Sequence, residues 1–213
     1  MFDLDGVLVD TAKFHFLAWR KMANSLGFDF SEHQNEDLKG ISRRQSIEKI
    51  LSWGNVSLSE DEINHFMQLK NEWYLAYIEE MTPDDVLPGA DTFLMHCKAD
   101  GYLLALGSAS KNARKILDKL GLTTLFNAII DGNVATLSKP EPQVFLKGAE
   151  ALRVDPTTCL VFEDAIAGIA AAHNAGMRAI GIGNPNVLTE AELVYPGLEG
   201  LEIGQLIAKL NSN

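Results

Sequence analysis

Leu160-Val161-Phe162-Glu163-Asp164-Ala165 is an apolar run that stops abruptly at two carboxylates. Behind it, Ala165–Ala175 has the composition of a helix and ends at Gly176, and Ala179–Ile182 is apolar again. Strand, helix and strand in that order make a βαβ unit, which implies a parallel sheet with helices on both faces. The same alternation appears further back. Tyr102–Leu106 reads as a strand, Lys111–Leu120 as the helix after it, and Gly121 as its stop. The segment before Thr11 belongs with this sheet. The expected fold is therefore α/β, with a Rossmann-like parallel sheet core.

Between these parts the style changes. Phe14, Leu17, Ala18 and Met22 recur at helical spacing, and Glu60–Glu80 reads as one long helix. Leu38-Lys39-Gly40-Ile41-Ser42-Arg43 interrupts the helices, and the Ser42 hydroxyl is placed to cap the next one. Residues 12–80 thus read as an inserted α-helical cap domain, with 1–11 and 81–213 forming the core.

The 213 residues, 46% hydrophobic and 22% charged, have globular composition. A net charge of -11 disfavours nucleic acid, whose binding needs clustered Lys and Arg. No apolar run approaches the ~20 residues of a membrane helix. Cys97 and Cys159 lie outside any metal-type spacing and read as reduced thiols of a cytoplasmic protein. No apolar stripe is left over for a dimer, so a monomer is expected.

In an open parallel sheet, ligands sit at the carboxyl ends of the strands. Asp3-Leu4-Asp5-Gly6 follows the first apolar residues, Gly107-Ser108-Ala109-Ser110 the second strand, and Glu163-Asp164 another. Alternation sends Asp3 and Asp5 to one side, and Gly6 lets the chain turn away. Two carboxylates this close repel unless a cation lies between them or one is protonated. One can then serve as nucleophile and the other as general acid/base. Alone, Glu163-Asp164 would pass for the N-cap of the following helix. Together with Asp3 it forms a set of hard oxygen ligands suited to Mg²⁺. Ser108 can donate to phosphate oxygens. Lys139, held extended by Pro140, can neutralise a transferring phosphoryl group.

In order and spacing, Asp3-Leu4-Asp5-Gly6-Val7, Ser108, Lys139 and Glu163-Asp164 resemble the four signature motifs of the haloacid dehalogenase superfamily. The resemblance implies that Asp3 forms an aspartyl-phosphate and that Asp5 is the general acid/base. It also implies that Mg²⁺ is held by Asp3, the Asp5 backbone carbonyl and Asp164, with Glu163 assisting. Thr11, His15, Trp19, Lys39-Gly40-Ile41-Ser42-Arg43 and Lys70-Asn71 look like the cap of the β-phosphoglucomutase family, and Ser108-Ala109-Ser110-Lys111-Asn112 like its phosphate loop. That likeness implies a small sugar phosphate as substrate, interconverted between β-glucose 1-phosphate and glucose 6-phosphate. A phosphatase of a small phosphorylated metabolite would share every core residue. His15 and Trp19, one turn apart, suit a sugar's hydroxyl edge and apolar face, and Arg43 offers a fork for the idle phosphate. His96 and His173 read as structural, and Phe66, Met67 and Trp73 as cap core. Only Met1 and Phe2 precede Asp3, whereas a strand averages about five residues; the expectation is a further segment upstream.

Overall fold

In the computed structural model, residues 1–39 and 41–212 are described. The chain opens with Met1–Asp3 threaded between two strands that come much later. Phe2 N–H donates to Ala105 O (2.9 Å) and Phe2 O accepts from Gly107 N–H (2.8 Å). On the other side Met1 O accepts from Phe162 N–H (2.9 Å) and Asp3 N–H donates to Phe162 O (3.0 Å). Bonds on both edges make this the middle of the sheet, and they end at Asp3.

The helical block comes next: α1 (Ala12–Ser25), α2 (Glu32–Glu36), α3 (Arg43–Trp53) and α4 (Glu60–Glu79). Three of these helices start in the same way. Ser31, Ser42 and Ser59 each accept from the backbone of the third following residue, and Gln34, Gln45 and Glu62 reach back. Such reciprocal caps satisfy two orphan amides at once. The block has its own apolar centre, where Trp19, Met22, Ile47, Ile50 and Ile63 meet. Burying each large side chain stabilises by ~1.5–3 kcal/mol. The face of α1 turned inward differs from the one expected. Phe16, Ala18, Trp19, Met22 and Ala23 are buried, while Leu17 is 44% exposed. Phe14 instead stacks on Tyr77, with centroids 5.8 Å apart.

Then follow α5 (Ala90–Ala99), β1 (Ala105–Gly107), α6 (Ala113–Lys119), β2 (Ala128–Ile130), α7 (Gln143–Leu152), β3 (Leu160–Glu163), α8 (Ile166–Asn174), β4 (Arg178–Ile182), β5 (Leu193–Tyr195) and α9 (Ile203–Leu210). The pairs β1–β2, β3–β4 and β4–β5 are all parallel. Bridges from Phe2 to Leu106 and to Phe162 join them, giving the order β2, β1, Met1–Asp3, β3, β4, β5. Alternate residues face opposite sides. Leu106, Phe162 and Ile180 join one apolar cluster with helices α5, α6 and α9. Ala105, Val161 and Ala179 join another with α7 and α8. The sheet is therefore covered on both faces.

β1 starts later than the expected Tyr102. Tyr102 and Leu103 are 41% and 49% exposed, and pairing begins only where β2 and Phe2 lie alongside. The chain crosses between block and core twice, side by side: Leu87 N–H donates to Leu8 O (2.9 Å) and Asp10 N–H to Asp85 O (3.3 Å). Cys97 is buried and Cys159 half-buried, both as free thiols. Among the described residues no helix is long and apolar enough to cross a membrane.

Candidate active site

The carboxyl ends of Met1–Asp3, β1 and β3 open into one cleft of about 550 Å³, roofed by the helical block. At its floor lies the Lys139 ammonium, only 1% exposed. It donates to Asp3 Oδ1 at 2.6 Å and to Glu163 Oε1. The other Asp3 oxygen accepts from the Asp5 amide at 3.1 Å. Burial pulls the Lys139 pKa down, but Asp3 and Glu163 outweigh it and the net shift is upward. Lys139 therefore stays charged.

Glu163 is fully buried, and its second oxygen accepts from Ala165 N–H at 2.9 Å. Burial raises it to about 8, against the pull of Lys139. Asp164 is raised to about 7, again chiefly by burial and against Lys39, whose ammonium lies 3.2 Å away. Burial disfavours the charged forms of both carboxyls, and a cation among them would restore those forms. Oxygens of Asp3, Glu163 and Asp164 lie within 4.8 Å of one another. The set is all hard oxygen, acidic and poorly balanced, so it fits a divalent cation. Close backbone packing preserves the geometry. A Cβ on Gly6, which has φ +82°, would fall 2.2 Å from Asp164 Oδ2.

The Asp5 side chain lines the same cleft but lies outside this carboxylate set. Its Oδ1 is enclosed without a hydrogen bond, 4.0 Å from His15 Nε2. Burial, then Asp3, raise Asp5 to about 7, a value suited to exchanging protons near neutrality. His15 is itself held from behind by Lys70 Nζ, 2.8 Å from Nδ1. Where Lys70 donates to Nδ1, the ring hydrogen lies on Nε2, facing Asp5; burial, then Arg43, lower the Lys70 pKa well below its usual value. Burial, then Lys70 and Arg43, lower His15 well below its usual value, so the ring is neutral. Lys70 lies over the rings of Trp19 (4.7 Å) and Tyr74 (4.6 Å), which offset part of its desolvation.

Another part of the lining is basic and amide-rich. Arg43 Nη2 donates to Asn71 Oδ1 at 2.7 Å, and Asn112 Nδ2 donates to the same oxygen at 2.9 Å. Ser110 N–H and Asn112 N–H bond back to the hydroxyls of Ser108 and Ser110 (3.1 and 3.2 Å). These bonds fix the turn after β1.

Of the residues singled out in the sequence, Asp3, Asp5, Ser108, Lys139 and Asp164 line the cleft. So do His15, Trp19, Lys39, Ile41, Ser42, Arg43, Lys70, Ser110, Lys111 and Asn112. Glu163 lies just beneath the wall. Gly40 lies outside the described residues. Thr11 is fully buried and off the wall, its hydroxyl unpartnered. Met67, expected in the interior of the block, packs there and also faces the cleft. Asn35, Ser46, Asn64 and Gln68 line it too and went unnoticed. For Ser46 a signal existed: it sits one turn beyond Ser42 on the same face.

Residues 1–176 match the family described as haloacid dehalogenase-like hydrolase, and the chain belongs to it. Relatives narrow the likeness. A β-phosphoglucomutase of Bacillus subtilis is 42% identical over 196 residues, 91% of this chain and 87% of that protein. A crystal structure of β-phosphoglucomutase from Clostridium difficile superposes with a TM-score of 0.95 at 41% identity, covering 99% of this chain and 96% of the other. A phosphorylated carbohydrates phosphatase of Thermotoga maritima is 29% identical over 182 residues, 84% of this chain and 82% of its own length.

Proposed function

We propose that this chain interconverts β-glucose 1-phosphate and glucose 6-phosphate, carrying the phosphoryl group on Asp3 and passing through glucose 1,6-bisphosphate. The observation that carries the reading is one cleft lined by both sets of candidate phosphate donors. Asp3, Ser108 and Lys139 make up one set, with Lys139 bonded to Asp3, and Arg43, Ser110, Lys111 and Asn112 the other. A hydrolase of a monophosphate needs only the first. The identity to a Bacillus subtilis β-phosphoglucomutase supports the choice of sugar.

The divalent ion is Mg²⁺ in this reading, held by Asp3, Glu163 and Asp164 with the Asp5 carbonyl; when bound, it supplies positive charge to the phosphoryl oxygens. Phosphorylated Asp3 gives its phosphoryl group to a substrate hydroxyl. The Asp3 O–P bond breaks, a sugar O–P bond forms, and the hydroxyl proton passes to Asp5. After the bisphosphate has turned over, Asp3 takes the other phosphoryl group and Asp5 returns the proton to the leaving oxygen. Lys139 steadies the charge on the transferring group throughout. Neutral His15, backed by Lys70, orients Asp5. Trp19 lines the cleft with Lys70 over its ring, and Lys39, Ile41 and Ser42 close the rim.

Residues 12–80 act as a cap on a core of 1–11 and 81–213, pivoting on the paired crossings at 8–11 and 82–87. Closure must exclude water, since an exposed phosphoaspartate is hydrolysed. The protein acts as a monomer in the cytoplasm, a reading its free thiols support. The test compares glucose 6-phosphate formation with phosphate release from β-glucose 1-phosphate. Dominant phosphate release would favour the second reading, a sugar-phosphate phosphatase, to which the Thermotoga maritima relative lends support.

A further inference from the structure

Two donors from different parts of the fold converge on one acceptor. Arg43 opens α3 and Asn112 precedes α6, yet both donate to Asn71 Oδ1 on α4, at 2.7 and 2.9 Å. We infer that Asn71 is a positioning residue, a neutral stand-in that holds these donors together and latches cap to core until a substrate phosphate takes its place. The inference rests on the reading of Arg43 and Asn112 as donors to the idle phosphate.

The chemistry of the acceptor matters. Hydrogen bonds to an ionised acceptor are roughly twice as strong as neutral ones. A phosphate therefore outcompetes the Asn71 carbonyl, while that carbonyl still spares two half-buried donors from standing unpaired. An aspartate here would accept more strongly from both Arg43 and Asn112 and would not yield. An apolar side chain would leave both donors without a partner and the cap free to open. The same oxygen thus sets the resting position of the cap and the ease with which phosphate replaces it.

Asn71→Asp and Asn71→Leu, made in the full chain, test this against an effect on charge alone. Without ligand, amide hydrogen exchange at the crossings 8–11 and 82–87 should slow in Asn71→Asp and quicken in Asn71→Leu, by several-fold in each direction. With Mg²⁺ present, calorimetric titration with inorganic phosphate should show affinity falling about tenfold or more in Asn71→Asp. That loss should vanish in an Arg43→Ala background, because the two changes act on one contact. Equal exchange at the crossings in all three proteins overturns the latch, as does a loss of phosphate affinity that persists without Arg43. Exchange and phosphate binding are read without sugar turnover. A failure of the mutase assignment would therefore appear separately, as absent glucose 6-phosphate formation with the exchange pattern intact. If the mutase assignment holds, Asn71→Leu should also divert a larger share of turnovers to phosphate release, with KM raised more than kcat is lowered.

Discussion

Replacing Lys139 by Met removes the one ammonium that bridges Asp3 and Glu163, both almost wholly buried. Breaking a buried pair by deleting one partner costs about 3–5 kcal/mol, because the other charge is stranded. For a chain of this size, each kcal/mol lowers Tm by about 2–4 °C, so a fall of about 6–20 °C is expected. The loss must depend on pH, and its sign follows from linkage. Glu163 has its folded pKa raised from 4.5 to about 8. Its stability contribution is therefore fully present below the unfolded value and is lost as pH rises through about 8. Lys139 is the largest influence holding that value down, so without it the carboxyl climbs further and the loss above neutrality deepens. In thermal melts of metal-free protein, the shortfall of Lys139→Met should be larger at pH 9.5 than at pH 7, because wild-type Glu163 gives up its proton only near pH 8 while the variant's holds it further. Adding Glu163→Gln should return part of the difference at pH 9.5. A drop of the same size at both pH values, or a larger one at pH 7, would refute the assignment of Lys139 as the charge compensator.

Other outcomes follow from the same geometry. Asp5, Glu163 and Asp164 all have raised values, about 7, 8 and 7, so the metal-free protein should lose stability between pH 6 and pH 8.5. Mg²⁺ should raise Tm more at the upper pH, which differential scanning calorimetry would show. Gly6→Ala forces a left-handed backbone at about 1–2 kcal/mol and drives a Cβ onto Asp164; Mg²⁺ affinity by titration calorimetry should weaken tenfold or more. Lys70→Met removes the donor that fixes the His15 ring and should lower kcat by more than tenfold with a smaller change in KM. The acid limb of kcat/KM should fall near pH 7, where Asp5 loses its proton; a limb near pH 4 would count against Asp5 as the base.

The core could be read from the sequence because its signals were local. The run Leu160–Phe162 with carboxylates behind it, the glycine stop at Gly176 and Ser42 before a helix each carry their meaning within a few residues. Strands β2 and β5 gave no such signal, since three residues each are too few to show a period. Helix α7 begins just past Pro142, in the segment where Pro140 drew attention to Lys139. The polar wall of α4 was harder still. Asn64 and Gln68 look like an ordinary solvated face until the block is folded over β1. Nor could spacing reveal that His15 is wedged between Lys70 and Asp5, because those partners are 55 and 10 residues distant. Chemistry borne by one strand end was legible in the residues themselves, and chemistry assembled across the cleft was reached only through the family resemblance.

The account's centre is a phosphoryl group carried by Asp3. Acid-quenching the Mg²⁺-loaded protein during turnover of β-glucose 1-phosphate, then locating phosphate by peptide mass analysis, tests it most directly. Phosphate on Asp3, absent together with all turnover in Asp3→Asn, is the predicted result. Turnover that persists in Asp3→Asn, or phosphate found on another side chain, would contradict it.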